Sequence, residues 1–189
     1  MKRIGTSGSE QLYDVEGTRA IERALASKLL PFELMDRAGL AVARLALAVA
    51  PHSRHIWVAC GPGNNGGDGL VAARHLLGHS RRNGGHLHVT VTLCGDMACL
   101  PPDAARALDR ALETGVVIAP RAPRVFDCAI DALLGLGAQR PPEGRLAEQL
   151  QTMHSSSATV LSVDLPSGLL ADTGVYFGPA PKIGPGRRH

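Results

Sequence analysis

The chain has 189 residues, a length that suits one domain and lets a core form without disulfides. Lys and Arg total 20 against 17 Asp and Glu, a formal charge of +3, while aromatic residues make up 3% of the chain. Mild basicity with so few rings excludes a single-strand nucleic-acid groove, which interleaves basic and stacking side chains. The start, Met1-Lys2-Arg3, lacks the apolar segment of a secretory signal. The longest apolar stretch, Leu40 to Ala50, is broken by Arg44 and is too short for a membrane span. Cys60, Cys94, Cys99 and Cys128 form no Cys-x-x-Cys pair. Reduced, buried thiols are the expectation for the three in apolar runs, and a soluble cytoplasmic protein follows.

In chain order, Asp14 caps a predicted helix to about Lys28. Pro31 opens a second, from about Phe32 to Ala50, with an apolar stripe of Leu34, Ala38, Ala41, Leu45 and Ala48. His55 to Cys60 reads as a buried strand, followed by a glycine-rich turn. A helix then runs from Leu70 to Leu77, a basic loop from Ser80 to Gly85 and a second strand from His88 to Cys94. Pro101-Pro102 opens a helix closed by Gly115. Strands follow over Val116 to Ala119 and Val125 to Leu134, then a polar helix over Glu143 to His154 and a fifth strand over Ala158 to Leu165. This alternation predicts a three-layer α/β/α, Rossmann-like fold with a mainly parallel sheet.

In such a sheet, ligands bind outside the carboxyl ends of the strands. Three loops leave those ends with unusual chemistry. Gly61 to Gly69 matches G-x-G-x-x-G over residues 61 to 66 and adds Asn64, Asn65 and Asp68. Asp131 ends one strand before Gly135-Leu136-Gly137, and Asp164 ends another before Leu165-Pro166-Ser167-Gly168. Two carboxylates opposite a loop of amides favour chemistry or cation binding over simple helix capping.

Leu34 to Gly39, Gly61 to Gly69, Asp131 to Gly137 and Val163 to Gly174 together resemble the YjeF N-terminal domain family of NAD(P)H-hydrate epimerases. The resemblance implies repair of nicotinamide cofactors hydrated at C6, by interconversion of the R and S forms of NADHX and NADPHX. By the same resemblance, Asn64, Asn65, Gly66, Gly67 and Asp68 bind substrate, as do Gly135, Leu136, Gly137, Ala138, Gln139, Arg140, Pro141 and Asp164. Asn65, Asp131 and Ser167 match positions that hold a potassium ion. Asp164 is the candidate catalytic acid/base group. The family's usual Gly-Thr-Gly is Gly135-Leu136-Gly137 here, so one hydroxyl is lost. The resemblance further implies a homodimer and a functional partner, an ADP- or ATP-dependent dehydratase. From the few aromatic rings and the short apolar stretches, neither a nucleic-acid nor a membrane partner is expected.

Other readings are a non-catalytic scaffold module, an inactive truncated fragment or an ordinary NAD-dependent dehydrogenase. A dehydrogenase would need an acidic residue ~20 positions past the glycines, whereas Asp96 lies 30 beyond Gly66. Val175 to His189 is rich in Gly and Pro, and Lys182, Arg187 and Arg188 carry the whole charge excess. The resemblance implies a domain that continues with further strands, so residues 1–174 are read as an incomplete domain lacking its last strands, with the fifth strand at an open edge. Residues 175–189 are read as a disordered tail.

Overall fold

A computed structural model describes residues 13–30 and 32–177. Helix α1, Val15–Ala26, begins at Asp14, whose carboxylate accepts the Gly17 N–H at 2.7 Å. Helix α2 spans Glu33–Val49, β1 His55–Cys60, α3 Asn64–Arg82 and β2 His88–Leu93. Helix α4, Pro102–Glu113, precedes β3, Ile118–Ala119. Strand β4 is Cys128–Ala132, α5 Arg145–Ser155 and β5 Thr159–Ser162. Among the described residues these five strands pair in parallel in the order β3-β2-β1-β4-β5, with β5 at an edge.

The first two crossovers travel one way from β1 and the later ones the other way, so the switch point lies between β1 and β4. Alternation along the strands builds two cores. Ile56, Val58 and Cys60 face α2, α3 and α4, together with Val91, Cys128 and Ile130. Trp57, Ala59 and Ala129 face Leu150 and Met153 of α5. The layers are thus helices, sheet and helix, as predicted. On the α5 side the indole N–H of Trp57 donates to Thr92 Oγ1 at 2.9 Å. The Thr92 hydroxyl donates in turn to Gln149 Oε1 at 2.7 Å, so a fully buried ring keeps its polar atom satisfied.

Helix α2 buries a different face from the predicted one. Leu34 and Leu45 are 38% and 48% exposed, while Met35, Gly39, Ala43 and Ala46 are buried. The cause is close approach to α3. A Cβ added to Gly39 would lie 2.4 Å from Val71 Cβ and 2.7 Å from the Asp68 carbonyl oxygen. Small side chains set that contact, and the larger apolar stripe is left outside. The part-buried pair of Arg74 with Asp36, 2.5 Å apart, ties the same two helices.

Helix α3 starts at Asn64, not at Leu70, and runs on to Arg82. Its glycines hid it, because glycine is a poor helix former. Here they are required by packing: a Cβ on Gly66 would sit 2.0 Å from the Gly61 carbonyl oxygen. The last three strands are shorter than predicted. Beyond β5, Val175 to Phe177 turn back on the chain. The Leu170 N–H donates to the Val175 carbonyl and the Phe177 N–H to that of Gly168, each at 2.8 Å. The rest of the predicted tail, residues 178–189, lies outside the described residues. Cys60, Cys94 and Cys128 are buried free thiols, as expected, and Cys99 is exposed. Among the described residues, no helix is long and apolar enough to cross a membrane.

Candidate functional site at the sheet's switch point

The loops after β1, β4 and β5 meet over the switch point. They enclose a cavity of about 670 Å³ lined by Pro62 to Asn65, Asp68, Leu133 to Ala138, Val163 and Asp164. Helix α2 adds Ala38 and Val42, and α1 adds Arg19 and Glu22. Of the predicted substrate positions, Asn64, Asn65, Asp68, Gly135 to Ala138 and Asp164 are brought together. Gly66 and Gly67 are buried in the first turns of α3 and act through backbone packing. Gln139, Arg140 and Pro141 are exposed and line an adjoining cavity of about 480 Å³ instead.

The opening of α3 is the most constrained part. Gly63 is its N-cap and offers no capping side chain. The first-turn N–H groups therefore face the cavity with the positive end of the helix dipole behind them. The glycines on either side let backbones touch. A Cβ on Gly61 would lie 1.7 Å from the Leu133 carbonyl oxygen, locking the first loop against the second.

Asp131, within β4, does not line the cavity. It is 1% exposed and collects three donors. The Ser167 hydroxyl donates to Oδ1 at 2.6 Å, the Ser167 N–H to Oδ2 at 2.9 Å and the Leu133 N–H to Oδ1 at 3.2 Å. Ser167 Oγ also accepts the Leu134 N–H at 2.8 Å. The pair thus holds the backbone of Leu133 and Leu134, which do line the cavity. Burial pushes the Asp131 carboxyl up, and the bonds from Ser167 and Leu133 pull it partly back.

Asp164 lies two residues past β5 in a left-handed conformation, φ 65°, which aspartate tolerates better than most residues. It is exposed, and its Oδ2 accepts the Leu136 N–H at 2.6 Å. The missing hydroxyl of the second loop leaves this contact intact, because the donor is backbone. Gly135 is needed at the crossing: a Cβ there would lie 2.7 Å from Asp164 Oδ2 and 3.3 Å from the Asn65 side chain.

Asp68 has the unusual titration. Burial, then Asp164, then Glu22 push its carboxyl up to about 7. A sequence reader sees Asp68 only as a polar member of a glycine loop. Its burial in α3 and its two acidic neighbours come from distant segments. Arg19 and Glu22 were missed altogether. They are three residues apart, on one face of α1, and nothing in their spacing points to a site.

The fold and this cleft define a doubly wound α/β protein with a cavity at its switch point, built from a glycine-rich helix start and the loops after β4 and β5. The chain belongs to the family described as YjeF-related protein N-terminus, which matches residues 31–183. It is 40% identical over 174 residues to the NAD(P)H-hydrate epimerase of Rhodobacter capsulatus, covering 86% of this chain and 79% of that protein. It is 35% identical over 183 residues to the bifunctional NAD(P)H-hydrate repair enzyme Nnr of Escherichia coli, covering 94% and 34%. A relative with the same description from Thermofilum pendens is 38% identical over 155 residues, covering 78% and 29%. The chain therefore spans about a third of the length of these bifunctional relatives. The yeast protein ynu0, YNL200c, known from a crystal structure, has the same fold. It superposes with a TM-score of 0.76 at 21% identity, over 90% of this chain and 76% of that one.

Proposed function

We propose that this chain is an NAD(P)H-hydrate epimerase, an isomerase that interconverts the R and S forms of NADHX and NADPHX. One observation carries the reading. Asn64, Asn65 and Asp68 after β1, Gly135 to Ala138 after β4 and Asp164 after β5 line a single cavity at the switch point. Inverting C6 requires a C–O or C–N bond to break and re-form; by the C–O route its hydroxyl leaves from one face and water returns on the other. The departing oxygen needs a proton, and the incoming water must lose one, so the two steps balance. The carboxylates divide that work. Asp68, held near 7, delivers the proton. Asp164, exposed to the cavity, takes one from the returning water. The loop N–H groups and the α3 dipole orient the dinucleotide.

A potassium ion fits the residues present. Asn65 Nδ2 is buried with no hydrogen-bond partner among the described residues, and Asp131 is a carboxylate raised by burial. A cation would relieve both, once the amide is turned to present its oxygen. Asn65, Asp131 and Ser167 would hold the ion, which when bound supplies fixed positive charge beside an acidic cleft. We further propose a homodimer, supported by the apolar stripe that α2 leaves outside. An ADP- or ATP-dependent dehydratase acting on the S epimer is the functional partner.

The test is direct. Purified R-NADHX is incubated with the full chain, and the S epimer is followed by chromatography. Asp164→Ala is expected to bind the dinucleotide and to lose roughly 10²–10⁴-fold in rate. Wild-type protein that binds the substrate but leaves R-NADHX unchanged would refute the assignment.

A further inference from the structure

Helix α1 is an unusual part of the fold. From Arg19 to Leu25 every residue is exposed, so the helix buries little of itself. It is nonetheless fastened at its start and beyond its end. The Val15 N–H donates to Asp172 Oδ1 at 2.9 Å, joining its start to the loop after β5. Past its end, Phe32 takes a left-handed φ of 74° and is 5% exposed. The Arg110 guanidinium lies 4.5 Å from the Phe32 ring centroid, and that of Arg106 lies 5.4 Å away. The strain of that backbone is held by packing. The helix is therefore a strap between two anchors, and it brings Arg19 and Glu22 to the cavity.

Charge decides what the strap does there. Among the described residues, the charged groups lining the cavity are Glu22, Asp68, Asp164 and Arg19, so one cation stands among three carboxyl groups there. Arg19 lies against the second loop: a Cβ on Gly137 would be 2.9 Å from its Nη2. The uncapped start of α3, at Gly63 to Asn65, lines the same cavity. A dinucleotide carries a pyrophosphate, which three carboxyl groups would repel. A guanidinium and a helix N-terminus are the groups that bind it.

We propose that Arg19 is a substrate-binding residue that contacts the pyrophosphate of the dinucleotide, with α1 acting as the strap that presents it. This rests on the dinucleotide reading of the cavity. ADP-ribose, which has the pyrophosphate but no nicotinamide, separates the two ideas. Its binding to the full chain is measured by calorimetry for wild type, Arg19→Gln, Arg19→Lys and the control Arg23→Gln, which is exposed on α1 but does not line the cavity. Arg19→Gln should bind about 10- to 100-fold more weakly and show a shallower salt dependence. Arg19→Lys should recover part of the loss, and Arg23→Gln should match wild type. With R-NADHX as substrate, Arg19→Gln should raise KM by a similar factor and leave kcat within about threefold. An Arg19→Gln protein that binds ADP-ribose as tightly as wild type overturns the role of Arg19 even if epimerisation is intact. Wild type that binds ADP-ribose through Arg19 but leaves R-NADHX unchanged overturns the epimerase reading alone. Wild type that binds neither overturns both.

Discussion

Replacing Gly66 by alanine and Gly78 by alanine should move stability in opposite directions, although both glycines lie in α3. In an open helix position, glycine to alanine gains about 0.5–1 kcal/mol. Gly78 is such a position. The atom nearest to an added Cβ is Arg82 Nη1 at 3.3 Å, the far end of a flexible side chain. Gly66 is not. An added Cβ would fall 2.0 Å from the Gly61 carbonyl oxygen and 2.9 Å from its nitrogen and carbonyl carbon. Gly61 cannot retreat, because it is itself pressed against Leu133. Its N–H is also bonded to the Ala132 carbonyl at 2.9 Å. The helix start must move out instead, at the roughly 1–3 kcal/mol typical of overpacking or more, which outweighs the helix gain. A net loss of about 2 kcal/mol lowers Tm by about 4–8 °C in a domain of this size. Gly78→Ala should raise Tm by about 1–4 °C. Thermal melts by circular dichroism check both. Equal shifts, or a Gly66→Ala protein as stable as wild type, would mean that α3 does not pack on the β1 loop in this way.

Asp68 should set a pH limb. Its folded value, about 7, is above the ordinary carboxylate value. Between about pH 4 and 7 the folded state therefore binds more protons than the unfolded, and stability falls as pH rises through that window. Asp68→Asn should stabilise the protein more at pH 8 than at pH 5 in denaturant titrations, and should lower the epimerase rate at every pH, leaving no further fall above pH 7. Ser167→Ala strips two of the bonds made by its hydroxyl, to Asp131 and from the Leu134 N–H. A loss of about 1.5–3 kcal/mol in urea unfolding, with a weakened response to potassium chloride against sodium chloride, is the expected result. Leu45→Glu, on the outward face of α2, should give monomers in sedimentation velocity where wild type sediments as a dimer. A wild type that is monomeric at tens of micromolar would remove the dimer.

The sequence determined the layer order and the chemistry of the three loops. Apolar runs of strand length, separated by helical periodicity, permit few arrangements, and His55 to Cys60 was legible to the residue. Glycines, amides and aspartates placed after strands announced a site because parallel strands aim their carboxyl ends at one edge. Local pattern failed where long-range contact decides. It put α2 on its larger stripe, whereas docking on Val71 and the Asp68 carbonyl required Gly39. It began α3 six residues late, since the glycines that weaken a free helix are those that let this one touch the Gly61 carbonyl. Only the tertiary structure separated the acidic residues into kinds. Asp131 is buried and braces a loop, Asp164 is exposed in the cavity, and Asp68 is raised by burial and by neighbours from two other segments. Only the tertiary structure laid α1 across the cleft, because no spacing within a helix records what lies opposite its polar face.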